Sequence, residues 1–180
     1  MGKVVLDVSV SLDGFAAGPR VRPEEPMGDG GERLHEWMAT DVAVRAATDA
    51  RVGAAVIGRR TFDLGLKPWG GTPWPGVPSF VVTHRVRADL VGDNGGTFAF
   101  DGLESAVRRA RAAAGDKDVL VLGPDVARQL LAAGLLDELH LHLAPILLGG
   151  GTPLFADSHA ELIQTDSATG SATHVRYRVA

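Results

Sequence analysis

Short apolar runs alternate with segments of helical spacing along this chain, and several of the runs end at a glycine or a polar residue. Val4 to Ser11 sets Val4, Leu6, Val8 and Val10 on one face at period two, the pattern of a strand. Ala54 to Ile57, Ser79 to Thr83, Thr97 to Phe100 and Asp118 to Leu122 are further strand-like runs. Glu138 to Leu143 alternates strictly, with Leu139, Leu141 and Leu143 on one face. Between them, Glu32 to Met38, Val42 to Val52, Leu103 to Ala114 and Val126 to Ala133 have helical spacing. Asp41 is placed to cap the second of these, and Gly115 and Gly134 to end the last two. The tail, Ala160 to Ser167 and Thr173 to Val179, reads as a closing antiparallel hairpin. Strands separated by helices predict an α/β fold with a mostly parallel sheet flanked by helices.

The chain has 180 residues, 45% hydrophobic and 22% charged, which predicts one domain over 1–180 with a sizeable core. Two stretches, Gly18 to Gly31 and Pro68 to Pro78, are dense in proline and glycine and read as loops too short to separate domains. They are expected to shape a substrate pocket. No apolar run reaches the length of a membrane span, and no secretory signal opens the chain, so a cytoplasmic protein is expected. There is no cysteine, which excludes disulfides, iron–sulfur clusters, thiolate zinc sites and a cysteine nucleophile. The net charge of −4, with no basic block, argues against a nucleic-acid partner.

In open α/β sheets ligands sit at the carboxyl ends of the strands, so the residues just after each strand matter most. Gly58-Arg59-Arg60-Thr61 follows the Ala54 run: glycine permits close backbone approach, and arginines suit a phosphate. Thr61 is placed to cap a short helix there, and a plain turn with surface arginines is the alternative. His84-Arg85 follows Ser79 to Thr83 and could hold a second phosphate, such as the 2′-phosphate of NADP. Gly123-Pro124-Asp125 follows Asp118 to Leu122, again a glycine elbow opening a helix. Asp13-Gly14 is a turn in which Asp13 either bonds nearby amides or touches the ligand. Gly149-Gly150-Gly151 lies between apolar neighbours and reads as a structured loop. His140-x-His142 could make half a metal site, but no third ligand stands at metal spacing, and no metal is assigned. No GxSxG, HExxH, P-loop or GxGxxG pattern is present.

Val56-Ile57-Gly58-Arg59-Arg60-Thr61-Phe62 resembles a segment of dihydrofolate reductases and their relatives. Gly134-Leu135-Leu136-Asp137-Glu138-Leu139, followed by Pro145 to Phe155 (PILLGGGTPLF), resembles the signature of the C-terminal reductase domain of the bifunctional riboflavin deaminase–reductase. Ser11-Leu12-Asp13-Gly14 matches that family's opening motif. The resemblance covers nearly the whole chain in order. It implies a dihydrofolate-reductase-like fold, a homodimer, and NADPH as hydride donor.

The resemblance further implies that Gly58, Arg59, Arg60 and Thr61 bind the pyrophosphate. Thr83, His84 and Arg85 would surround the 2′-phosphate. Leu122, Gly123, Pro124, Asp125 and Val126 would line a second elbow beside the nicotinamide, with Ser9 and Ala16 flanking its carboxamide. Relatives usually carry Gly-Gly where this chain has Gly123-Pro124. The cysteine-free chain is expected to be a stand-alone reductase without the zinc deaminase domain. The implied reaction is hydride transfer to a small nitrogen heterocycle or ribosylaminopyrimidine, of the 5-amino-6-(5-phosphoribosylamino)uracil reductase type. The alternatives are a dihydrofolate or pterin reductase and a non-catalytic dinucleotide- or pterin-binding protein. Asp13, Glu138 or a bound water would deliver the proton.

Overall fold

The computed structural model describes residues 2–85 and 87–180. Nine strands form one twisted sheet. In chain order they are β1 (Val4–Ser11), β3 (Val52–Gly58), β4 (Ser79–Val82), β5 (Leu90–Val91), β6 (Thr97–Asp101), β7 (Asp118–Leu122), β8 (Glu138–Ala144), β10 (Leu162–Thr169) and β11 (Thr173–Val179). Across the sheet the order is β10-β11-β8-β1-β7-β3-β4-β6-β5. The six central strands, β8 to β6 in that order, pair in parallel. The edges are antiparallel: β5 on β6 at one side, β10 and β11 on β8 at the other. The α/β fold and the closing hairpin expected from the sequence are therefore present. The hairpin begins two residues later than its spacing suggested, at Leu162. A separate ribbon pairs β2 (Phe15–Ala17) with β9 (Thr152–Pro153).

Burial explains the long apolar runs. Both faces of the central strands are covered, so they read as continuous rather than alternating. On one face, α3 (Leu103–Ala114) and α4 (Pro124–Ala132) bury Ala106, Val107, Ala110, Val126, Ala127 and Leu130 against Val4, Leu6, Val56 and Val121. On the other, Phe62 of α2 (Arg59–Gly65) packs on Ala55, Ile57, Val81, Phe98 and Phe100.

Four local expectations change. Glu32 to Met38 lies in a 3-10 helix, Gly31–Ala39, anchored by buried Leu34 and Trp37. The next helix, α1 (Val42–Arg51), ends one residue early because Val52 turns extended and opens β3. Asp41 makes no capping bond to α1. Its carboxylate instead accepts from the Ser171 and Ala172 amides and faces His174, so the β10–β11 turn claims it. β8 is also not one-sided: His140 and His142, opposite the leucines, are buried as well. Trp37 covers the His142 ring, and Thr48 of α1 bonds Asp7 beside it.

Candidate active site

The carboxyl ends of β1, β3, β4 and β7 open into one cleft of about 1340 Å³. Ile57 lies opposite Leu122, and Gly58 opposite Val82, so the turns that follow these strands meet. Gly58 and Gly123 make that meeting possible. Gly123 has φ +111°, a conformation that disfavours a side chain, and it packs against the Thr61 hydroxyl. Thr61 therefore does not cap α2; its hydroxyl fills the gap under the neighbouring elbow.

The charges in the cleft differ in availability. Arg59 is held by Asp63, with Nε 2.9 Å from each carboxylate oxygen. Arg128 donates to the Pro153 carbonyl at 3.1 Å and to Asp125 at 3.4 Å. Asp125 also accepts from Gln129 at 2.9 Å, so its carboxylate is engaged along α4. Among the described residues, the Arg60 and Arg85 guanidinium groups have no protein partner, and both line the cleft. Thr83 accepts from the Arg85 amide at 3.0 Å, which fixes the turn carrying His84 and Arg85.

Every residue expected at a cofactor site lines this cleft: Ser9, Ala16, Gly58 to Thr61, Thr83 to Arg85, and Leu122 to Val126. Ser9 is buried and its hydroxyl accepts from Trp37 Nε1 at 2.8 Å. The two loops rich in proline and glycine both line the cleft, through Val21, Pro26 and Met27, and through Trp69, Pro73 and Trp74.

The two expected proton donors do not line the cleft. Asp13 accepts from Ser11 Oγ at 2.6 Å and from the Leu148 and Gly149 amides at 3.1 and 2.7 Å. The Ser11 bond, with those amides, lowers its pKa. It ties the first turn to the three-glycine loop, whose Gly151 has φ +130° and no room for a Cβ beside the Ala17 carbonyl. Glu138 opens β8 at the amino end of the sheet, opposite the cleft. It bonds Lys3 and lies 3.0 Å from His140. Burial opposes its ionisation, but Lys3 and His140 outweigh that and lower its pKa.

Asp7 does line the cleft, and sequence reading passed over it. Its signal was visible: a carboxylate inside an apolar strand, with Ser9 and Ser11 on the same face. Burial disfavours its charge, but hydrogen bonds and charge from His140 and His142 prevail and hold it well below the usual carboxylate range. Among the described residues no group of ligand-type side chains is arranged to hold a metal ion. No helix there is long and apolar enough to cross a membrane.

Several known proteins are similar. The YyaP protein of Bacillus subtilis (strain 168) is 28% identical over 167 residues, covering 86% of this chain and 81% of that protein. A putative riboflavin biosynthesis protein from Shewanella sp. PV-4 superposes with a TM-score of 0.77 at 24% identity, covering 99% of both chains. Dihydrofolate reductase from Enterococcus faecalis, solved with NADP(H), superposes with a TM-score of 0.62 at 15% identity, over 99% of this chain and 96% of that one. These structures share the fold. The sequence pattern of the RibD C-terminal domain matches residues 2–173, and the chain belongs to that family.

Proposed function

We propose that this protein is a reductase that binds NADPH along the cleft and reduces a small nitrogen heterocycle, of the ribosylaminopyrimidine type handled in riboflavin biosynthesis. One observation carries the reading. The turns after β3, β4 and β7 converge on one cleft that holds two arginines without partners among the described residues, Arg60 and Arg85. Unpaired guanidinium groups beside glycine turns suit phosphate oxygens, which they bind through paired hydrogen bonds. Gly123, where a side chain would strike Thr61, lines the same cleft. A protein of the same fold from Thermotoga maritima is a diaminohydroxyphosphoribosylaminopyrimidine deaminase/5-amino-6-(5-phosphoribosylamino)uracil reductase.

Bound NADPH would supply the hydride. The chain's own part is to hold and orient. Arg60, with Arg59, would hold the pyrophosphate, and Arg85 with Thr83 and His84 the 2′-phosphate. Ser9 and Ala16 would flank the carboxamide, and the Val21–Met27 and Trp69–Trp74 walls would exclude water from the substrate. A homodimer is part of the same reading, and sedimentation equilibrium reads it directly.

The test is a titration of the purified protein with NADPH and NADH, read by quenching of tryptophan fluorescence, since Trp37, Trp69 and Trp74 line the cleft. NADPH is expected to bind in the micromolar range with preference over NADH. Arg85→Ala should weaken NADPH by about tenfold and leave NADH nearly unchanged, a charge-assisted contact being worth ~1.5–3 kcal/mol. Binding of neither dinucleotide would remove the reading.

A further inference from the structure

Four side chains run in a line behind the cleft floor. Asp7 Oδ1 lies 3.1 Å from His142 Nε2. His142 Nδ1 lies 2.7 Å from His174 Nδ1. His174 Nε2 lies 2.9 Å from Asp41 Oδ2. The two histidines face each other across the β8–β11 pair, and both are buried. Trp37 packs on both rings, with centroids 4.2 and 5.0 Å away.

Counting hydrogens shows what this line requires. An ionised carboxylate only accepts, and so does a bare imidazole nitrogen. Each of the three contacts therefore needs one hydrogen between its heavy atoms. Two neutral imidazoles carry two ring protons. One contact would then set two lone pairs against each other, either a bare nitrogen against a carboxylate or the two bare Nδ1 atoms 2.7 Å apart, a repulsive pair in a buried, weakly screened place. A third proton satisfies all three contacts at once.

We propose that His142 and His174 together hold three ring protons, one more than two neutral imidazoles, and that Asp7 opens this proton site to the cleft as the proton supply for the reduction. The last clause rests on the reductase reading; the site itself does not.

The surroundings balance such a charge. From β1 comes Asp7, which also accepts from Thr48 Oγ1 of α1 at 3.1 Å. From β8 comes His140, 3.7 Å from Asp7 and itself bonded to Glu138, which Lys3 and Arg51 attend. Burial, with His142 as the smaller cause, lowers the pKa of His35 in the 3-10 helix. On the far side Arg176 of β11 pairs with Asp166 of β10 at 3.6 Å. Asp41 closes the line, with the Ser171 and Ala172 amides on its carboxylate. Asp7 borders both the cleft and a cavity of about 40 Å³ that also touches His140, His142 and His174. That volume is enough to hold water, for which ~10–15 Å³ suffices.

The chemistry balances. Reduction of a C=N bond adds hydride to carbon and a proton to nitrogen. The hydride comes from the reduced nicotinamide, which ends oxidised. The proton leaves His142 Nε2, passes through the Asp7 carboxylate and ends on the substrate nitrogen. His142 keeps its Nδ1 proton and regains the other from water through Asp7 once product has left.

The test counts ring protons by nitrogen NMR on the full, isotope-labelled chain without ligand at about neutral pH. Three ring protons are expected on the pair. Two, with Asp7 ionised by its carboxyl carbon shift, would overturn the site. In Asp7→Asn the amide N–H can donate to a bare His142 Nε2, so the count should fall to two; a count of three would remove Asp7 from the site. Asp41→Asn satisfies His174 in the same way, predicts the same count, and serves where Asp7→Asn does not fold. The role in reduction is read separately, by NADPH oxidation with 5-amino-6-(5-phosphoribosylamino)uracil as probe. Asp7→Asn should lower kcat about a hundredfold, the scale of a positioned proton donor, with NADPH affinity kept. Unchanged kcat would remove that role and leave the proton count standing. Failure of the wild-type chain to bind NADPH would remove the reductase reading, and the ligand-free count would still decide the site.

Discussion

Gly123 and Thr61 meet so closely that a Cβ on the glycine would lie 2.4 Å from the threonine hydroxyl oxygen. The contact locks the turn after β7 onto the first turn of α2, so two of the three cleft elbows form one unit. Gly123→Ala adds both that clash and a side chain at φ +111°. Strained backbone and overpacking each cost ~1–3 kcal/mol, so a loss of at least about 2 kcal/mol in urea unfolding is expected, with weaker NADPH binding. Adding Thr61→Ala should relieve the clash and not the backbone strain. Complete recovery in the double variant would mean that φ at this position is immaterial.

Arg59 and Arg60 are neighbours in sequence and differ in structure. Arg59 is engaged by Asp63, whereas Arg60 has no partner among the described residues. Removing Arg60 therefore costs a ligand contact alone, while removing Arg59 also frees a carboxylate beside the site. Arg60→Ala should weaken NADPH by about tenfold or more, one charge-assisted contact. Asp63→Asn should tighten it, because Arg59 is released toward the phosphates. Calorimetry of the three proteins checks both signs. Equal affinities would place the pyrophosphate elsewhere.

The strand ends were legible because glycine and arginine announce themselves there. Gly58-Arg59-Arg60-Thr61, Thr83-His84-Arg85 and Gly123-Pro124-Asp125 all line one cleft. The buried polar line was not legible, because it depends on pairing between distant strands. His142 and His174 meet only through the β8–β11 register, which no local pattern specifies. Asp41 looked like a helix cap because its neighbours suit one, yet its carboxylate bonds the amides of the β10–β11 turn and none of α1. Strands β2, β5 and β9 escaped notice for a simpler reason: two or three residues carry no period.

Asp13 holds the three-glycine loop through the Leu148 and Gly149 amides. Asp13→Ala should leave those amides open, raising their hydrogen exchange about tenfold or more. The pH dependence has a definite sign. The folded carboxyl has a lowered pKa, so its contribution is complete above the ordinary aspartate value of 3.8 and is lost as pH falls through the folded one. Protection of Leu148 and Gly149 in the wild-type chain should therefore fade in acid. In Asp13→Ala it should be low at every pH. Equal protection in the two proteins at neutral pH would mean that Pro145 to Phe155 orders itself without the carboxylate.

Glu138 separates stability from ligand binding. It sits at the amino end of β8, among Lys3, His140 and Arg51, far from the strand ends that form the cleft. Glu138→Gln removes the anion and leaves Lys3 without its partner. The expected loss is ~1–3 kcal/mol at neutral pH, the scale of a broken charge-assisted bond. Because the folded pKa is lowered from the ordinary value of 4.5, the carboxylate stabilises fully above that value. The gap between wild type and variant should close as pH falls below it. NADPH affinity should stay within about twofold, less than ~0.5 kcal/mol, because no cleft contact changes. Urea unfolding at several pH values and one dinucleotide titration measure the two quantities. A variant that keeps its stability and loses dinucleotide binding would move Glu138 back to the site, where sequence reading first placed it.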